Sequence, residues 1–306
     1  MNRIAVIDLG TNTCNLLIAE LSTQGYHLLF QGKEIVKMGK GGIHKNLIPD
    51  DGIQRAVQAI QNHQEKITNY KVDKTIAIAT SAVRDASNRK AFCETILDKT
   101  GIELDVVSGQ KEAELIFNGV LLAFDNPPGN SLIVDIGGGS NEFILCNGNK
   151  IIWKESFPLG VARIIERFPP SDPITKEEIN TIKKYFDENM TSFWEASSEK
   201  KIQQLIGCSG AFDTLADLVD QTTPGTKLRK KQEITIDNFQ KIYEMLIRST
   251  TEERMQMKGL EQLRVEMIIP AIILIGLVVQ KLGIDKIVQT DYALREGVLY
   301  ELLLFA

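Results

Sequence analysis

The residues VIDLGTNTCNLLI at positions 6–18 and IVDIGGGSNEFIL at positions 133–145 repeat one pattern in two parts of the chain. Each copy begins with an apolar, β-branched run, reaches an aspartate and a glycine, and crosses a few small residues into a second apolar run. This pattern is typical of two strands joined by a tight turn. Two copies, one opening each half of the chain, predict a duplicated lobe.

The segments around these copies alternate between apolar runs and amphipathic stretches, which predicts an α/β fold. Predicted helices include 43–70, 176–194 and 267–279, and predicted strands include 74–80 and 286–290. The residues DNPPGN at 125–130 are the strongest turn signal and predict a boundary between lobes. We therefore expect a first lobe over residues 1–125 and a second over 126–306, with a last helix at about 294–304 that packs back on the first lobe.

Composition and charge restrict the kinds of partner. The chain has 306 residues, 43% hydrophobic and 25% charged, with a formal net charge of -5. These values are ordinary for a globular protein of two domains. An overall negative charge disfavours wholesale binding to nucleic acid or acidic membranes. We expect neither as a partner, and a polyanionic substrate then needs a local basic or metal-bearing site.

Redox and targeting signals are weak. Cys14, Cys93, Cys146 and Cys208 lie far apart without a CxxC pair, which indicates neither a zinc site nor a disulfide framework. The N-terminal residues reach an aspartate before any signal-like apolar stretch develops. The apolar run at 267–279 is too short to cross a bilayer and indicates a buried helix, in the core of a monomer or at a homodimer interface. We expect a cytoplasmic protein.

The two turns suit anion binding, because small residues leave backbone N–H groups open to close approach. The first turn contains Gly10, Thr11, Asn12 and Thr13, and the second contains Gly137, Gly138, Gly139 and Ser140. Asp8 and Asp135 end the preceding strands and are positioned to hold a divalent cation, Mg²⁺ or Mn²⁺, between the loops. The alternative is a pair of ordinary hairpins whose aspartates cap turns. A Rossmann fingerprint is excluded because GGGSNEFIL continues into a strand, and no P-loop motif occurs.

Six stretches in order resemble the exopolyphosphatase/guanosine pentaphosphate phosphohydrolase family, within the broader group of actin, heat-shock chaperone ATPase and sugar kinase folds. They are VIDLGTNT (6–13), ATSAVRDA (79–86), SGQKEAELIFNGV (108–120), IVDIGGGSNE (133–142), IGCSGAFDTLA (206–216) and DYALREGVLYE (291–301). The resemblance implies an α/β, two-lobed actin-like (ribonuclease H-like) fold, with the duplicated phosphate-loop hairpins at a cleft. Longer family members add a helical C-terminal module with histidine–aspartate pairs, which we do not expect here.

The resemblance also implies roles for single residues. Glu112 matches the glutamate that activates or orients the attacking water, whereas a glutamate in a first helical turn is otherwise a solvated dipole partner. Glu142 matches an acidic residue that binds the metal or its water network. Arg84 matches an arginine near the phosphates, with a surface ion pair to Asp85 as the alternative.

Further positions leave alternatives open. Gly207, Ser209 and Gly210 resemble the third glycine loop, which approaches the adenosine in nucleotide-binding relatives, and a structural loop explains them equally well. Lys111 stands where the family often has a second acid, so it either favours polyanion approach or points to solvent. The basic residues within 227–231 either steer a polyanion or form a solvated loop.

These observations predict an enzyme, a phosphoanhydride hydrolase that removes the terminal phosphate of inorganic polyphosphate with a divalent metal and a water activated by Glu112. Guanosine pentaphosphate is the alternative substrate, because it carries the same kind of terminal phosphoanhydride. A kinase or ATPase that shares the fold is a third hypothesis, and a non-catalytic sensor of polyphosphate or an alarmone is a fourth. Glu112 argues against the sensor, because binding an anion needs no carboxylate beside it.

Overall fold

The computed structural model describes residues 2–304. Its strands are β1 (Asn2–Leu9), β2 (Thr13–Ser22), β3 (Gly25–Ile35), β4 (Lys74–Ala79), β5 (Asp105–Val106), β6 (Asn130–Ile136), β7 (Asn141–Asn147), β8 (Lys150–Phe157), β9 (Gln204–Cys208), β10 (Gln232–Thr235) and β11 (Lys286–Thr290). Its helices are α1 (Asp50–Asn69), α2 (Ser81–Arg84), α3 (Arg89–Thr100), α4 (Gly109–Phe124), α5 (Val161–Arg167), α6 (Lys176–Asn189), α7 (Thr191–Ser197), α8 (Ser209–Asp220), α9 (Ile236–Arg248), α10 (Thr251–Met255), α11 (Ile268–Leu282) and α12 (Leu294–Leu304). Two 3₁₀ turns, Ile43–Lys45 and Gln262–Arg264, complete the list.

The chain divides into two compact units. The first contains the residues up to Gly119 together with those from Leu294, and the second is Val120–Ala293. Helix α12 therefore belongs to the first unit, where it packs against β1. Each unit has one sheet and a hydrophobic core of its own.

The two sheets share a plan. The first has the strand order β3-β2-β1-β4-β5, and the second has the order β10-β11-β9-β6-β7-β8. In both, three consecutive antiparallel strands are followed by a parallel neighbour, β4 beside β1 and β9 beside β6. Parallel strands need helical crossovers, which is why α1 and a run of helices intervene before β4 and β9. The mixed α/β architecture that the sequence predicts is confirmed.

The duplicated sequence pattern is a duplicated structure. Asp8 of β1 pairs across the ladder with Asn15 of β2, and Asp135 of β6 pairs with Glu142 of β7. The spacing of seven residues is the same in both hairpins, as the aligned sequences require. Since facing residues of an antiparallel pair lie on one face of the sheet, each hairpin presents two polar side chains side by side where its strands turn.

Two helix predictions need correction. The predicted helix over 43–70 begins only at Asp50, because Pro49 disfavours helical geometry at the residue before it and the segment ahead of it forms a 3₁₀ turn. The predicted helix over 176–194 is two helices, α6 and α7, which separate at Met190. The side chain of Met190 is completely buried, so tertiary packing overrides the continuous helical pattern there.

Helix α11 contains the most apolar run of the chain and is buried within the core of the second unit. Pro270 lies in its first turn, where a missing backbone donor costs nothing, and Gly283 ends it with a φ of 60°. Because the second unit itself covers this helix, its apolar character gives no argument for a homodimer. Within residues 2–304 no helix combines the length and the apolar character needed to cross a membrane.

Candidate functional site

The first glycine loop, residues 10–13, connects β1 to β2 and is closed by a hydrogen bond from the Gly10 N–H to the Thr13 carbonyl at 2.9 Å. Its carbonyl groups are held by the segment after β3. The Thr11 carbonyl accepts the Met38 N–H at 2.8 Å, and the Asn12 carbonyl accepts two further backbone N–H groups. The loop is therefore fixed through its carbonyl groups, on the side that faces residues 36–38.

The second glycine loop, residues 137–140, closes in the same way, with the Gly137 N–H donating to the Ser140 carbonyl at 3.0 Å. Its carbonyls accept hydrogen bonds from the start of α5, namely from Gly160 N–H, Val161 N–H, Ala162 N–H and the Arg163 Nε. The approach is close, since a Cβ atom on Gly160 would lie 2.4 Å from the Gly138 carbonyl. Among the described residues, the N–H groups of Gly138, Gly139 and Ser140 donate to no protein acceptor. Three such groups in succession are suited to a phosphate oxygen.

Two carboxylates stand beside the second loop. The Ser209 Oγ donates to Asp135 Oδ1 at 2.6 Å, and the Ser156 Oγ donates to Glu142 Oε1 at 2.6 Å. Glu142 is only 2% exposed. Like charges that face each other across an antiparallel pair are destabilising, so this arrangement favours a bound cation. The structure thus brings Asp135, Glu142 and Ser209 together with the second loop.

The donor set fits Mg²⁺ or Mn²⁺ better than zinc. In the part of the chain that the structure describes, no three His, Cys, Asp or Glu side chains form a metal-binding group. Zinc sites need three or four protein ligands, whereas Mg²⁺ takes one or two carboxylates and completes its shell with water and phosphate oxygens. Asp135 and Glu142 are the residues that would hold it. Asp8 lies in the other unit, so a cation shared by Asp8 and Asp135 stays a prediction.

Asp8 has a different environment from its counterpart. The Asn15 Nδ2 donates to Asp8 Oδ2 at 3.1 Å, so an amide occupies the position that Glu142 has in the second hairpin. Burial raises the pKa of Asp8, with a further rise from Glu296, while Arg295 and the hydrogen bond from Asn15 lower it. Two neighbouring residues of helix α12, Arg295 and Glu296, therefore act on this carboxyl with opposite effects.

Glu112 and Arg84 lie in direct contact. The Arg84 Nη1 is 2.5 Å from Glu112 Oε2 and also donates to the Val107 carbonyl at 3.4 Å, while its Nε is 3.6 Å from Asp85 Oδ1. Glu112 is in the first turn of α4 but is only 7% exposed, so it is not a solvated helix-dipole partner. Arg84 does form the ion pair with Asp85 that the alternative interpretation of its sequence position predicts, but its contact with Glu112 is shorter.

The third loop is shaped by packing. A Cβ on Gly207 would lie 2.0 Å from the Phe212 ring, and one on Gly210 would lie 1.6 Å from the guanidinium of Arg264. Ser209 has a φ of 63°, a strained conformation for a residue with a side chain. Both glycines are therefore required by contacts within the protein, and a ligand role for Gly207, Ser209 and Gly210 stays a prediction.

The whole chain has known relatives. A family model described as the Ppx/GppA phosphatase family matches residues 17–306. The chain belongs to the Ppx/GppA phosphatase family. The crystal structure of an exopolyphosphatase from Cytophaga hutchinsonii is similar with a TM-score of 0.94 at 37% identity, over 100% of this chain and 99% of that chain. Exopolyphosphatase 2 of Mycobacterium tuberculosis is 26% identical over 97% of this chain and 98% of its own length.

Another relative is longer than this chain. The bifunctional 3-dehydroquinate synthase/phosphatase of Fusobacterium nucleatum is 31% identical over 96% of this chain, but the match spans only 46% of that protein. Membership in the Ppx/GppA family confirms the prediction of a phosphoanhydride hydrolase. The likeness to the Cytophaga structure also confirms the predicted two-lobed, actin-like fold class.

Sequence reasoning missed Arg264, which no landmark of the Ppx/GppA resemblance includes. It is a single basic residue directly before the most apolar helix of the chain, and its guanidinium packs on Gly210. Its Nε atom is buried without a hydrogen-bond acceptor among the described residues. The available signal was an isolated arginine just before an apolar helix. The sequence does not indicate that this arginine packs on Gly210, which lies 54 positions earlier.

The basic stretch at 227–231 is not a uniform patch in this Ppx/GppA chain. Arg229 is only 4% exposed, and its Nη2 lies 2.7 Å from Asp217 Oδ1 and 3.0 Å from Asp220 Oδ2. Lys227 also pairs with Asp220. The expectation of a solvated loop or a steering patch is therefore wrong for Arg229, which is a buried structural cation.

A second polar group that the sequence did not reveal involves Asp213 of α8. The Gln289 Nε2 donates to Asp213 Oδ1 at 2.9 Å and to Asp291 Oδ1 at 2.6 Å, so one amide bridges two carboxylates. Burial raises the pKa of Asp213 to about 6, and the charge of Asp291 adds to the rise, against smaller lowering effects of Gln289 and Arg264. The Asp213 carboxyl therefore binds a proton more tightly in the folded protein than in the unfolded chain.

Asp213→Asn is expected to stabilise the protein at neutral pH. Because the folded pKa lies above the unfolded one, the stability of the wild type falls as pH rises from about 4 to about 6. The substituted asparagine keeps an acceptor for Gln289 and carries no charge. The free energy of unfolding should exceed that of the wild type by about 1–3 kcal/mol above pH 6, and the two should converge below pH 4. Urea unfolding at several pH values measures this, and an offset independent of pH would contradict it.

Proposed function

We propose that this chain hydrolyses the terminal phosphoanhydride of inorganic polyphosphate, with Glu112 activating the attacking water. The observation that carries the proposal is the pairing of an anion cradle with two facing carboxylates in the second hairpin. The open N–H groups of Gly138, Gly139 and Ser140 suit phosphate oxygens, and Asp135 with Glu142 suits the cation that accompanies them. The names of the Cytophaga and Mycobacterium relatives support polyphosphate as the substrate.

The fixed loops give electrostatic stabilisation without reorganisation. The Gly137, Gly138 and Gly139 carbonyls are already bonded to α5, so the opposite faces of these peptides need not rearrange when phosphate binds. Preorganised N–H donors stabilise the charge that develops on a transferring phosphoryl group. A bound Mg²⁺ would polarise phosphoryl oxygens and offset the repulsion between Asp135 and Glu142.

The contact between Arg84 and Glu112 suggests how the base is held before substrate binds. A carboxylate at 2.5 Å from a guanidinium has its charge balanced and one oxygen committed. A phosphate group competes for the same planar fork, because it also accepts two parallel N–H bonds. Arg84 moving toward phosphate leaves Glu112 Oε2 to accept the proton of the attacking water. In this scheme Arg84 binds substrate and Glu112 acts as general base.

Guanosine pentaphosphate remains the alternative substrate, because its terminal phosphoanhydride would use the same groups. An ATPase or kinase is less well supported by the third loop. Arg264 covers Gly210, and the cavity beside it, lined in part by Ile136, Ala211 and Ile268, measures about 10 Å³. That is room for about one water molecule and not for a purine ring.

Phosphate release tests the proposal. We would compare short polyphosphate, long polyphosphate, guanosine pentaphosphate and ATP, each with Mg²⁺, with Mn²⁺ and with a chelator. The expected result is cation-dependent release from polyphosphate and little from ATP. Faster release from guanosine pentaphosphate would replace the substrate and keep the mechanism. Polyphosphate binding without phosphate release would overturn the hydrolase and leave a sensor.

A further inference from the structure

Lys111 and Glu301 form an ion pair that joins helix α4 to helix α12. The Lys111 Nζ is 2.5 Å from Glu301 Oε1 and 3.4 Å from Glu114 Oε1. The Asn118 Nδ2 donates to the same Glu301 oxygen at 3.1 Å. Positions 111, 114 and 118 follow the spacing of one helical face, so a single face of α4 holds Glu301.

The two helices touch at their backbones near this pair. A Cβ atom on Gly297 would lie 1.8 Å from the Leu115 carbonyl oxygen, so α12 crosses α4 at a point where no side chain fits. Glu301 is one turn beyond Gly297 on α12, and Lys111 is one turn before Leu115 on α4. The glycine contact sets the distance between the helices but does not by itself stop one from turning or sliding on the other. The ion pair between Lys111 and Glu301, one turn away, opposes both movements.

Each helix carries groups of the candidate site. Helix α4 carries Glu112, the neighbour of Lys111. Helix α12 packs against β1, the strand that contains Asp8, and the first turn of α12 contains Arg295 and Glu296. Glu296 is 3% exposed, and the Arg295 Nη2 is 3.5 Å from its Oε1. A shift of α12 along α4 therefore changes the position of these two residues relative to Glu112 and to β1.

We propose that Lys111 and Glu301 are positioning residues, which fix α12 on α4 so that the proposed base Glu112 keeps its catalytic geometry. The inference rests on the proposed hydrolytic function and adds a role for a lysine where the resemblance leads one to expect an acid. Lys111 does not touch substrate in this assignment. It acts through the helix on which Glu301 lies.

The alternative is electrostatic steering, in which Lys111 only attracts a polyanion. The two roles differ in what Glu301 does. Steering by a free positive charge predicts that Glu301→Gln leaves activity unchanged or raises it. It also predicts that a lysine moved to position 301 of α12 gives no higher activity than the single variants. Positioning predicts that Lys111→Gln and Glu301→Gln have similar effects, and that the double variant is no worse than either, because the two residues make one contact.

The test is a set of variants assayed at saturating and limiting polyphosphate. Lys111→Gln and Glu301→Gln should each lower kcat about 5- to 10-fold with KM within about twofold, less than the roughly 100-fold that a 1 Å misplacement can cost. The exchanged pair, Lys111→Glu with Glu301→Lys, should recover kcat to within about twofold of the wild type, and Lys111→Arg should recover most of it. Lys90→Gln is the matched control, since Lys90 has a side chain that is 91% exposed and pairs within its own helix with Glu94.

Hydrogen exchange separates this inference from the proposed function, because it needs no substrate. The backbone amides of α12 should exchange faster in Lys111→Gln than in the wild type, and the exchanged pair should restore their protection. If the wild type releases no phosphate, the proposed function fails while the exchange result still decides whether the pair holds α12. A raised KM with unchanged kcat, or no recovery in the exchanged pair, would overturn the positioning role.

Discussion

Glu112→Gln is expected to lower kcat for phosphate release from polyphosphate by about 100- to 10,000-fold, with little change in substrate affinity. Glutamine has the shape of glutamate but cannot accept a proton from the attacking water. It keeps an oxygen that accepts the hydrogen bond from Arg84, so the contact at 2.5 Å is weakened rather than removed. The loss should therefore lie in the chemical step.

Stability measurements show whether the variant is a fair test. Arg84 has a side chain only 17% exposed, and it keeps Asp85 and the Val107 carbonyl as partners in the variant. We expect Glu112→Gln to cost about 1 kcal/mol of unfolding free energy, the value of one ordinary hydrogen bond. Glu94→Gln is the matched control, at an exposed position of α3 in the same unit, and it should alter neither stability nor kcat by a measurable amount.

Two results would contradict the role of Glu112. Full activity in Glu112→Gln would show that another group activates the water. A large rise in KM with unchanged kcat would make Glu112 a binding residue that acts through Arg84. Glu112→Asp gives a further check, because it restores a carboxylate about one bond length away from its proper place and should recover only part of the rate.

Local features of the chain could be predicted from the sequence because their causes are local. The repeated strand–aspartate–glycine pattern predicts two hairpins, and the ladder confirms them with Asp8 facing Asn15 and Asp135 facing Glu142. Glycines in a turn and alternation of apolar residues act within a few positions, so a sequence window contains the information. The buried helix α11 follows from composition alone for the same reason.

Contacts between distant positions were beyond such reasoning. Arg84 and Glu112 are 28 positions apart, and nothing in their neighbourhoods shows that one guanidinium binds that carboxylate. Arg229 stands in a run of basic residues that indicates solvent exposure, yet it is buried and forms ion pairs with two aspartates of α8. Buried charges are stable only when they are paired, and the partner is chosen by the tertiary fold.

Lys111 illustrates how a departure from a family pattern acquires meaning only in three dimensions. The sequence leaves it either as an aid to polyanion approach or as a solvent-exposed side chain. Its contact with Glu301, 190 positions later, provides a third role that neither hypothesis contains. The resemblance located the residue, and the crossing of α4 with α12 supplied its partner.

Asp135→Asn is expected to change activity and stability in opposite directions. Loss of one of the two carboxylates proposed to hold the cation should lower phosphate release about 100-fold or more, since a bound cation contributes several kcal/mol to the transition state. Without a cation, however, Asp135 and Glu142 repel each other across the ladder. Removing one charge should then raise the free energy of unfolding of the cation-free protein by up to about 1 kcal/mol.

The hydrogen bond from Ser209 allows the substitution to be conservative. The Ser209 Oγ donates to Asp135 Oδ1 at 2.6 Å, and the asparagine oxygen can accept it in the same place. Thermal unfolding with and without Mg²⁺ measures the result. The midpoint of the wild type should rise on adding Mg²⁺, because a ligand that binds the folded state stabilises it, and that rise should be absent in Asp135→Asn.

Asp125→Asn is the matched control, an exposed aspartate of the same unit whose φ of 57° suits asparagine equally well. It should keep both the activity and the stabilisation by Mg²⁺. If Asp135→Asn retained both the activity and the stabilisation by Mg²⁺, the result would show that the cation does not bind at Asp135 and Glu142.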